Sequence, residues 1–298
     1  VESPTFAHQS PVRTRRPRVR ASTDGAPRAE ALVLGRYRLR ERLGAGGFGV
    51  VWHAHDELLD REVAVKRIPL APEEDGERAS REALASARLA HPAIVALYEA
   101  CPAYDAFYLI SELVDGPTLA RLIADDELED EEVLQIGVAL CSALEHAHAR
   151  GVIHRDVKPQ NVLIPRRPEH AAPLSEAFGG IAKLTDFGGA RLSGQDALTR
   201  TGDVLGTLAY MAPEQSDGRR AGEAADLYSL ALVLYEALSG VNPVRGATPA
   251  ETVRRIGRPL PSLARARRDL SRPLAGAIDR ALVSAPPRRG TLAALRTA

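Results

Sequence analysis

His154-Arg155-Asp156-Val157-Lys158-Pro159-Gln160-Asn161 is the stretch around which the rest of this 298-residue chain is arranged. It holds a carboxylate, an amine and a carboxamide at close spacing. Asp156 can accept a proton from a hydroxyl, Lys158 can neutralise a phosphoryl oxygen, and Asn161 can offer a neutral oxygen to a hard metal ion. Pro159 stiffens the turn between them. Phosphoryl transfer rests mainly on positioning and charge neutralisation, and these are its parts. A helical pattern ends before the octet at Gly151, and the apolar run Val162-Leu163-Ile164 follows it. The octet therefore reads as a loop between a helix and a strand. Taken alone it would also suit a charged surface turn, so its partners elsewhere in the chain decide.

Upstream lies Gly44-Ala45-Gly46-Gly47-Phe48-Gly49-Val50-Val51. A strand pattern at Tyr37, Leu39 and Leu43 precedes it, and Val50-Val51-Trp52 opens a second strand. Glycines let a backbone come close to phosphates. A dinucleotide-binding turn would continue into a helix, with an acid about 20 residues on. Here a strand follows instead, and then Val63-Ala64-Val65-Lys66, a third strand ending in a lysine. A helix is predicted over about residues 77–89, with Glu82 as the partner of Lys66. It stops at His91-Pro92, because proline disfavours a helical residue before it. Residues 94–98 and 107–110 read as two more strands. Glu112-Leu113-Val114-Asp115-Gly116 breaks the pattern, and beyond it the chain turns mostly helical.

Downstream, residues 130–149 form a long amphipathic pattern with Val133, Ile136, Leu140 and Leu144 on one face. Asp130 is the expected N-cap, Glu131 and Glu132 fall in the first turn, and Gly151 follows the end. His146 and His148 read as ordinary helix-face histidines. Residues 165–182, rich in Pro, Arg, Ala and Gly, read as a surface loop insertion. Lys183-Leu184-Thr185-Asp186-Phe187-Gly188 then supplies a second metal-capable carboxylate after a strand. Residues 189–206 are loop-like, with Thr199, Arg200 and Thr201 near their middle, and Met211-Ala212-Pro213-Glu214 follows. Residues 227–238 are apolar nearly all round and predict a buried central helix capped by Asp226. Smaller helices near Ile256, at 274–283 and at 292–295 complete the pattern.

Hydrophobic residues make up 45% of the chain and charged residues 26%, the balance of a folded domain. Lys+Arg and Asp+Glu both number 39, so net charge gives no reason to expect nucleic acid. Cys101 and Cys141 make neither a disulfide framework nor a metal cluster, and they suit a reducing cytoplasm. The longest apolar helical run, 227–238, is too short to cross a bilayer, and no secretory signal is visible. Residues 1–35 are rich in Ser, Thr, Pro and Arg, with Arg13, Arg15, Arg16, Arg18 and Arg20 close together. A disordered basic arm is the expectation there, and contact with anionic lipid or another acidic surface its sharper form.

With these pieces in this order, the chain from about residue 36 to its end resembles the eukaryotic-like Ser/Thr protein kinases of bacteria. The resemblance implies an α+β, two-lobed protein-kinase fold. A small antiparallel-sheet N-lobe with one main helix would span 36–111, a hinge 112–116, and a larger, mostly helical C-lobe 117–298. It implies ATP and Mg²⁺ in the cleft between them and a protein Ser/Thr hydroxyl as acceptor. Gly44, Gly46 and Gly49 match the loop over the ATP phosphates. Lys66 matches the lysine on the α- and β-phosphates, and Glu82 its ion-pair partner. Asp156 matches the catalytic base, and Lys158 the lysine at the γ-phosphate that marks Ser/Thr rather than Tyr kinases. Asn161 and Asp186 match the Mg²⁺ ligands. Leu43, Val51, Ala64 and Leu163 match the adenine slot, with Glu112 and Val114 as hinge backbone contacts. Glu214 and Arg289 match an ion pair that braces the lower lobe. Thr199 and Thr201 match sites of autophosphorylation, which implies self-association, and Arg155 and Arg191 would pair with the phosphate. The residues agree chemically: ATP carries about four negative charges and needs cations and metal ligands under a flexible lid.

The chain departs from the family pattern in four places. Ser111 stands at the gatekeeper position, where a larger residue is usual, and Gly290 follows Arg289 where Pro is usual. The 165–182 insertion lengthens the approach to Asp186, and Gly188-Gly189-Ala190 follows Phe187. None removes a catalytic group. A pseudokinase or nucleotide-binding scaffold is the alternative, but such proteins usually lack the strand lysine, the catalytic Asp or the metal Asp. Here Lys66, Asp156, Asn161 and Asp186 are all present. A small-molecule kinase is disfavoured by Gly206-Thr207 and Ala212-Pro213-Glu214. The expected location is the cytoplasm, either as a free protein or as the cytoplasmic portion of a membrane-anchored one. Any linker, membrane helix or sensor domain would lie outside this sequence.

Overall fold

The computed structural model describes residues 31–46, 49–69, 87–103, 106–166, 180–187 and 208–298. Glu82 and most of the helix predicted at 77–89 lie outside these residues. So do Arg191, Thr199 and Thr201, and most of the 165–182 insertion.

Period-2 alternation in the first third of the chain builds one antiparallel sheet. Its strands are β1 (Leu32–Val33), β2 (Tyr37–Gly46), β3 (Gly49–Asp56), β4 (Arg61–Pro69), β5 (Leu97–Pro102) and β6 (Ala106–Glu112), in the order β1-β2-β3-β4-β6-β5. Directly opposed residues in an antiparallel pair point to the same face. Val51 opposes Lys66, which opposes Leu109, and Ala64 opposes Ser111. These five therefore share one face. The other face buries Tyr37, Leu39, Trp52, Val63, Val65, Tyr108 and Ile110 in a common core.

Two expectations about the sheet need correction. Residues 31–35 are not part of a disordered arm: Leu32 and Val33 pair with Arg38 and Tyr37, and Val33 is buried in the sheet core. The strand expected at 94–98 begins at Leu97, because the preceding segment pairs elsewhere. Ile94 bridges Leu184, and the Val95 N–H donates to Leu184 O at 3.0 Å.

Beyond Glu112 the chain is mainly helical. The helices are α1 (Leu119–Ala124), α2 (Asp130–His148), α3 (Pro213–Ser216), α4 (Glu223–Ser239), α5 (Pro249–Arg255), α6 (Leu263–Ala266), α7 (Arg272–Ala281) and α8 (Leu292–Thr297). A two-strand hairpin, β7 (Val162–Leu163) with β8 (Lys183–Leu184), lies beside them. Residues 225–236 of α4 are all buried, so this helix is the axis on which the others pack. Its predecessor α2 supplies Val133, Ile136, Leu140 and Leu144 to the same core. The N-cap of α2 is Glu129, not Asp130; Glu132 reaches back to the Glu129 N–H at 3.1 Å, and the Asp130 carboxylate is engaged by Arg267 instead. The lower lobe is braced by Arg289, whose NH1 and NH2 each lie 2.7 Å from a Glu214 oxygen. Among the described residues, no helix is long and apolar enough to cross a membrane.

Candidate active site

Two residues in this region occupy the left-handed backbone region without being glycine: Arg155 at φ +68° and Asp186 at φ +63°. Each costs on the order of 1–3 kcal/mol and persists only where its surroundings over-determine it. Asp226 is the main cause at Arg155. It is not the N-cap of α4, which is Gly222, but lies inside the first turn with its carboxylate fully buried. That carboxylate accepts the N–H of Arg155 at 2.7 Å, the N–H of His154 at 2.9 Å and the Nε2–H of His148 at 2.7 Å. Gln215 on α3 adds an Nε2–H to Arg155 O at 2.9 Å. His148 is thus a buried partner of Asp226, not a solvated helix-face histidine.

His154 ties this loop to the strand β8. Its Nε2 lies 2.9 Å from Thr185 O, and its Nδ1 accepts the Asp156 N–H at 3.2 Å. A carbonyl on one nitrogen and an N–H on the other place a ring proton on Nε2. The imidazole also packs on Phe187, with centroids 4.6 Å apart. The Thr185 N–H donates to Asn161 O at 3.0 Å, so the residue before Asp186 is pinned to Asn161.

The polar side chains converge on this frame. Asp156 Oδ2 receives Asn161 Nδ2 at 3.1 Å and faces Lys158 Nζ at 2.9 Å. Asn161 Nδ2 also donates to Asp156 O at 2.8 Å. From the sheet above, Lys66 Nζ reaches Asp186 Oδ1 at 2.8 Å. Burial pushes the Asp186 carboxyl up, but the charge and hydrogen bond of Lys66, helped by the charge of Lys158, outweigh it and hold the carboxyl below its ordinary range. Asp186 is therefore a carboxylate at neutral pH.

The residues expected around a nucleotide lie on the N-lobe sheet, at the hinge and on β7. Gly44 and Gly46 lie on β2, and Gly46 opposes Gly49 on β3. Gly49 has φ +116°, and a Cβ there would sit 2.0 Å from Arg67 O, so only glycine fits. Val51 and Ala64 share the face of Lys66, while Leu43 is half exposed. Leu163 lies on β7 and bridges Thr118 just past the hinge. Glu112 ends β6, with its N–H on Ala96 O at 2.9 Å and its carboxylate on Lys183; Val114 follows, partly buried. Lys66, Asp156, Lys158, Asn161 and Asp186 are thus brought together, whereas Glu82 lies outside the described residues. Sequence spacing missed His148, His154 and Asp226 as supports, because their contacts span 31 to 78 residues. The one signal was an acid, Asp226, at the head of an otherwise apolar run.

Residues 37–296 match the model of the protein kinase domain. This chain belongs to the protein kinase family. The kinase domain is 38% identical over 218 residues to the serine/threonine-protein kinase PrkC of Bacillus subtilis, covering 72% of this chain and 32% of that protein. It is 40% identical over 225 residues to a probable serine/threonine-protein kinase of Streptomyces coelicolor, covering 72% and 32%. With PknA of Mycobacterium tuberculosis it shares 38% over 230 residues, covering 74% and 51%. The chain therefore spans about a third of the first two relatives and about half of the third. The two-lobed kinase fold expected from the motifs is the fold observed, with a sheet-built N-lobe and a helical C-lobe.

Proposed function

We propose that this kinase domain is a Ser/Thr protein kinase that transfers the γ-phosphoryl group of ATP to a protein hydroxyl. The observation that carries the reading is the convergence of Lys66, Asp186, Asn161, Asp156 and Lys158 through the contacts above. Lys66 binds the α- and β-phosphates under the glycine hairpin, and Leu43, Val51, Ala64 and Leu163 enclose adenine beside the backbone of Glu112 and Val114. Both contacts to Asp156 fall on Oδ2, which leaves Oδ1 to orient the acceptor hydroxyl and take its proton. The hydroxyl oxygen then bonds to the γ-phosphorus while the bond to the ADP oxygen breaks. Lys158 neutralises the transferring group. Glu82 is the expected ion-pair partner of Lys66.

A hard divalent cation suits the donor set: Asn161 spends Nδ2 on Asp156, so its amide oxygen is available, and Asp186 is ionised. Asn161 and Asp186 would hold Mg²⁺, which supplies charge neutralisation to the phosphates when bound. The resemblance supports autophosphorylation of Thr199 or Thr201 as the activating event, a cytoplasmic location and protein substrates bearing Ser or Thr. Intact Lys66, Asp156, Asn161 and Asp186 weigh against a pseudokinase.

The test is incubation with γ-labelled Mg-ATP and a generic basic protein. Wild type is expected to label the protein on Ser or Thr, and Asp156→Asn to lose about 10²–10⁴-fold in rate while still binding ATP. Mass spectrometry of the same wild-type reaction should find phosphate on Thr199 or Thr201. Near-wild-type turnover in Asp156→Asn would overturn the assignment of the base, and no labelling by wild type would overturn the activity.

A further inference from the structure

Glu112, where the N-lobe sheet gives way to the hinge, meets Lys183 of the C-lobe. Glu112 ends β6, where the hinge begins; Lys183 opens β8, the strand that delivers Asp186 three residues later. Lys183 Nζ lies 2.9 Å from Glu112 Oε1 and 3.0 Å from Oε2. The same carboxylate accepts the Ala96 N–H at 3.3 Å. Ala96 continues the segment that already crosses between the lobes, where Leu184 N–H donates to Ala93 O and Val95 N–H to Leu184 O, both at 3.0 Å. The two side chains are 16% and 27% exposed, so water screens this pair less than a surface pair.

We propose that Glu112 and Lys183 are positioning residues: their ion pair is a strut that holds the hinge at a fixed distance from the Asp186 strand. The hinge reads the base and Asp186 serves the phosphates, so the strut keeps both ends of the ATP site in register. The inference rests on the kinase reading above. Lys66 meets Asp186, and Asp156 meets Lys158 and Asn161, so these contacts do not run through the Glu112–Lys183 pair. Its loss leaves the chemical machinery whole but lets the lobes sample arrangements that bind ATP poorly. Apparent affinity falls in proportion to the population of the competent arrangement.

Lys183→Met removes the charge and keeps an apolar stem; Lys183→Arg keeps a charge that can grip the carboxylate with two N–H groups. The Kd of Mg-ATP, kcat and the melting temperature are measured for wild type and both variants. For Lys183→Met, the Kd and KM for Mg-ATP should rise about three- to tenfold, with kcat within about twofold of wild type. Lys183→Arg should restore most of the affinity. An unchanged Kd in Lys183→Met would overturn the strut while leaving the kinase reading intact. So would a loss of affinity, kcat and melting temperature together that Lys183→Arg does not rescue. A wild type that binds no Mg-ATP would overturn both.

Discussion

Two ion pairs of nearly equal length do opposite work in this domain. Arg289 and Glu214 meet at 2.7 Å, and Lys66 and Asp186 at 2.8 Å. The first pair is sealed, with side chains 0% and 5% exposed. Arg289 also gives its Nε–H to Val283 O, its NH1 to Ala224 O and its NH2 to Ser284 O, and it lies over the Tyr228 ring at 4.8 Å. Every polar atom of that guanidinium is satisfied by protein, so nothing is left to offer a ligand. The second pair joins two lobes and opens to the cleft, with Asp186 a third exposed. Its backbone is strained at Asp186, and its carboxylate meets Lys66 through Oδ1. The difference shows how one chemistry serves either a fixed brace or an open site, according to how many neighbours close around it.

The comparison breaks most sharply at the cleft pair. Asp186→Asn should cut phosphoryl transfer by at least about 10²–10³-fold, as loss of a charge-stabilising group does. Its melting temperature should stay near that of wild type. Parallel rate assays and thermal melts check this; a large loss of stability with modest loss of rate would reverse the roles assigned to the two pairs.

Arg289→Ala is the converse variant. It leaves Glu214 buried without its partner, which costs about 3–5 kcal/mol. Chemical denaturation should show that loss, while the folded fraction at low temperature keeps most of its rate. A melting curve unchanged from wild type would show that the brace carries no net stability.

How much of this was legible in the sequence depends on distance along the chain. The octet at 154–161, the lysine at 66 and the carboxylate at 186 are each signalled by local motifs, whereas the Glu214–Arg289 pair is legible only through the family resemblance. Lys66 and Asp186 sit 120 residues apart; the motifs pair Lys66 with Glu82 and make Asp186 a metal ligand, and their direct contact is read only from the fold. The buried supports did not follow from motifs either. Nothing local to His148 announces Asp226, and Asp226 itself resembles a helix cap because caps and first-turn acids favour the same residue types. Leu32 and Val33 were lost in a basic arm because a two-residue strand carries no period to detect. The segment at 94–98 has the apolar pattern of a sheet strand, but its first half spends its hydrogen bonds on Leu184 in the other lobe. Apolar alternation reports burial and not which partner provides it.

A third pair is smaller and tunable by pH. Asp56 is held by Arg36 Nε at 2.6 Å and NH2 at 2.7 Å, with the N–H groups of Leu59 and Leu58 on the same carboxylate. The Arg36 hydrogen bonds outweigh burial and, with those N–H groups, bring the carboxyl down to about 2. A carboxyl depressed on folding contributes stability above its unfolded value of about 3.9, and that stability is lost as pH falls toward the folded value. Asp56→Asn should therefore cost about 1.5–3 kcal/mol at neutral pH. The gap from wild type should stay constant down to about pH 5 and narrow below about pH 4. Melts at a series of pH values read it; a gap that widened on acidification would contradict the sign.

The smallest effect concerns space in the cleft, where the brace has none. Ser111 opposes Ala64 on β4 and Leu97 on β5, so two small side chains lie side by side on the sheet face that carries Lys66. A methionine at this position would occupy volume that serine does not, on the face that carries Lys66. Adenine analogues with an added bulky apolar group should enter the unmodified protein and compete with ATP. The added group gains about 25 cal/mol for each Å² it buries. Ser111→Met should remove that gain and leave ATP binding nearly unchanged, because ATP does not extend past the gatekeeper. The measurement is a pair of inhibition constants, for a bulky and a plain analogue, on wild type and on Ser111→Met. Wild type should favour the bulky analogue and the variant the plain one. An equal ratio on both proteins would mean that neighbouring side chains already close the space behind Ser111, and that the cleft at this point is packed as tightly as the brace.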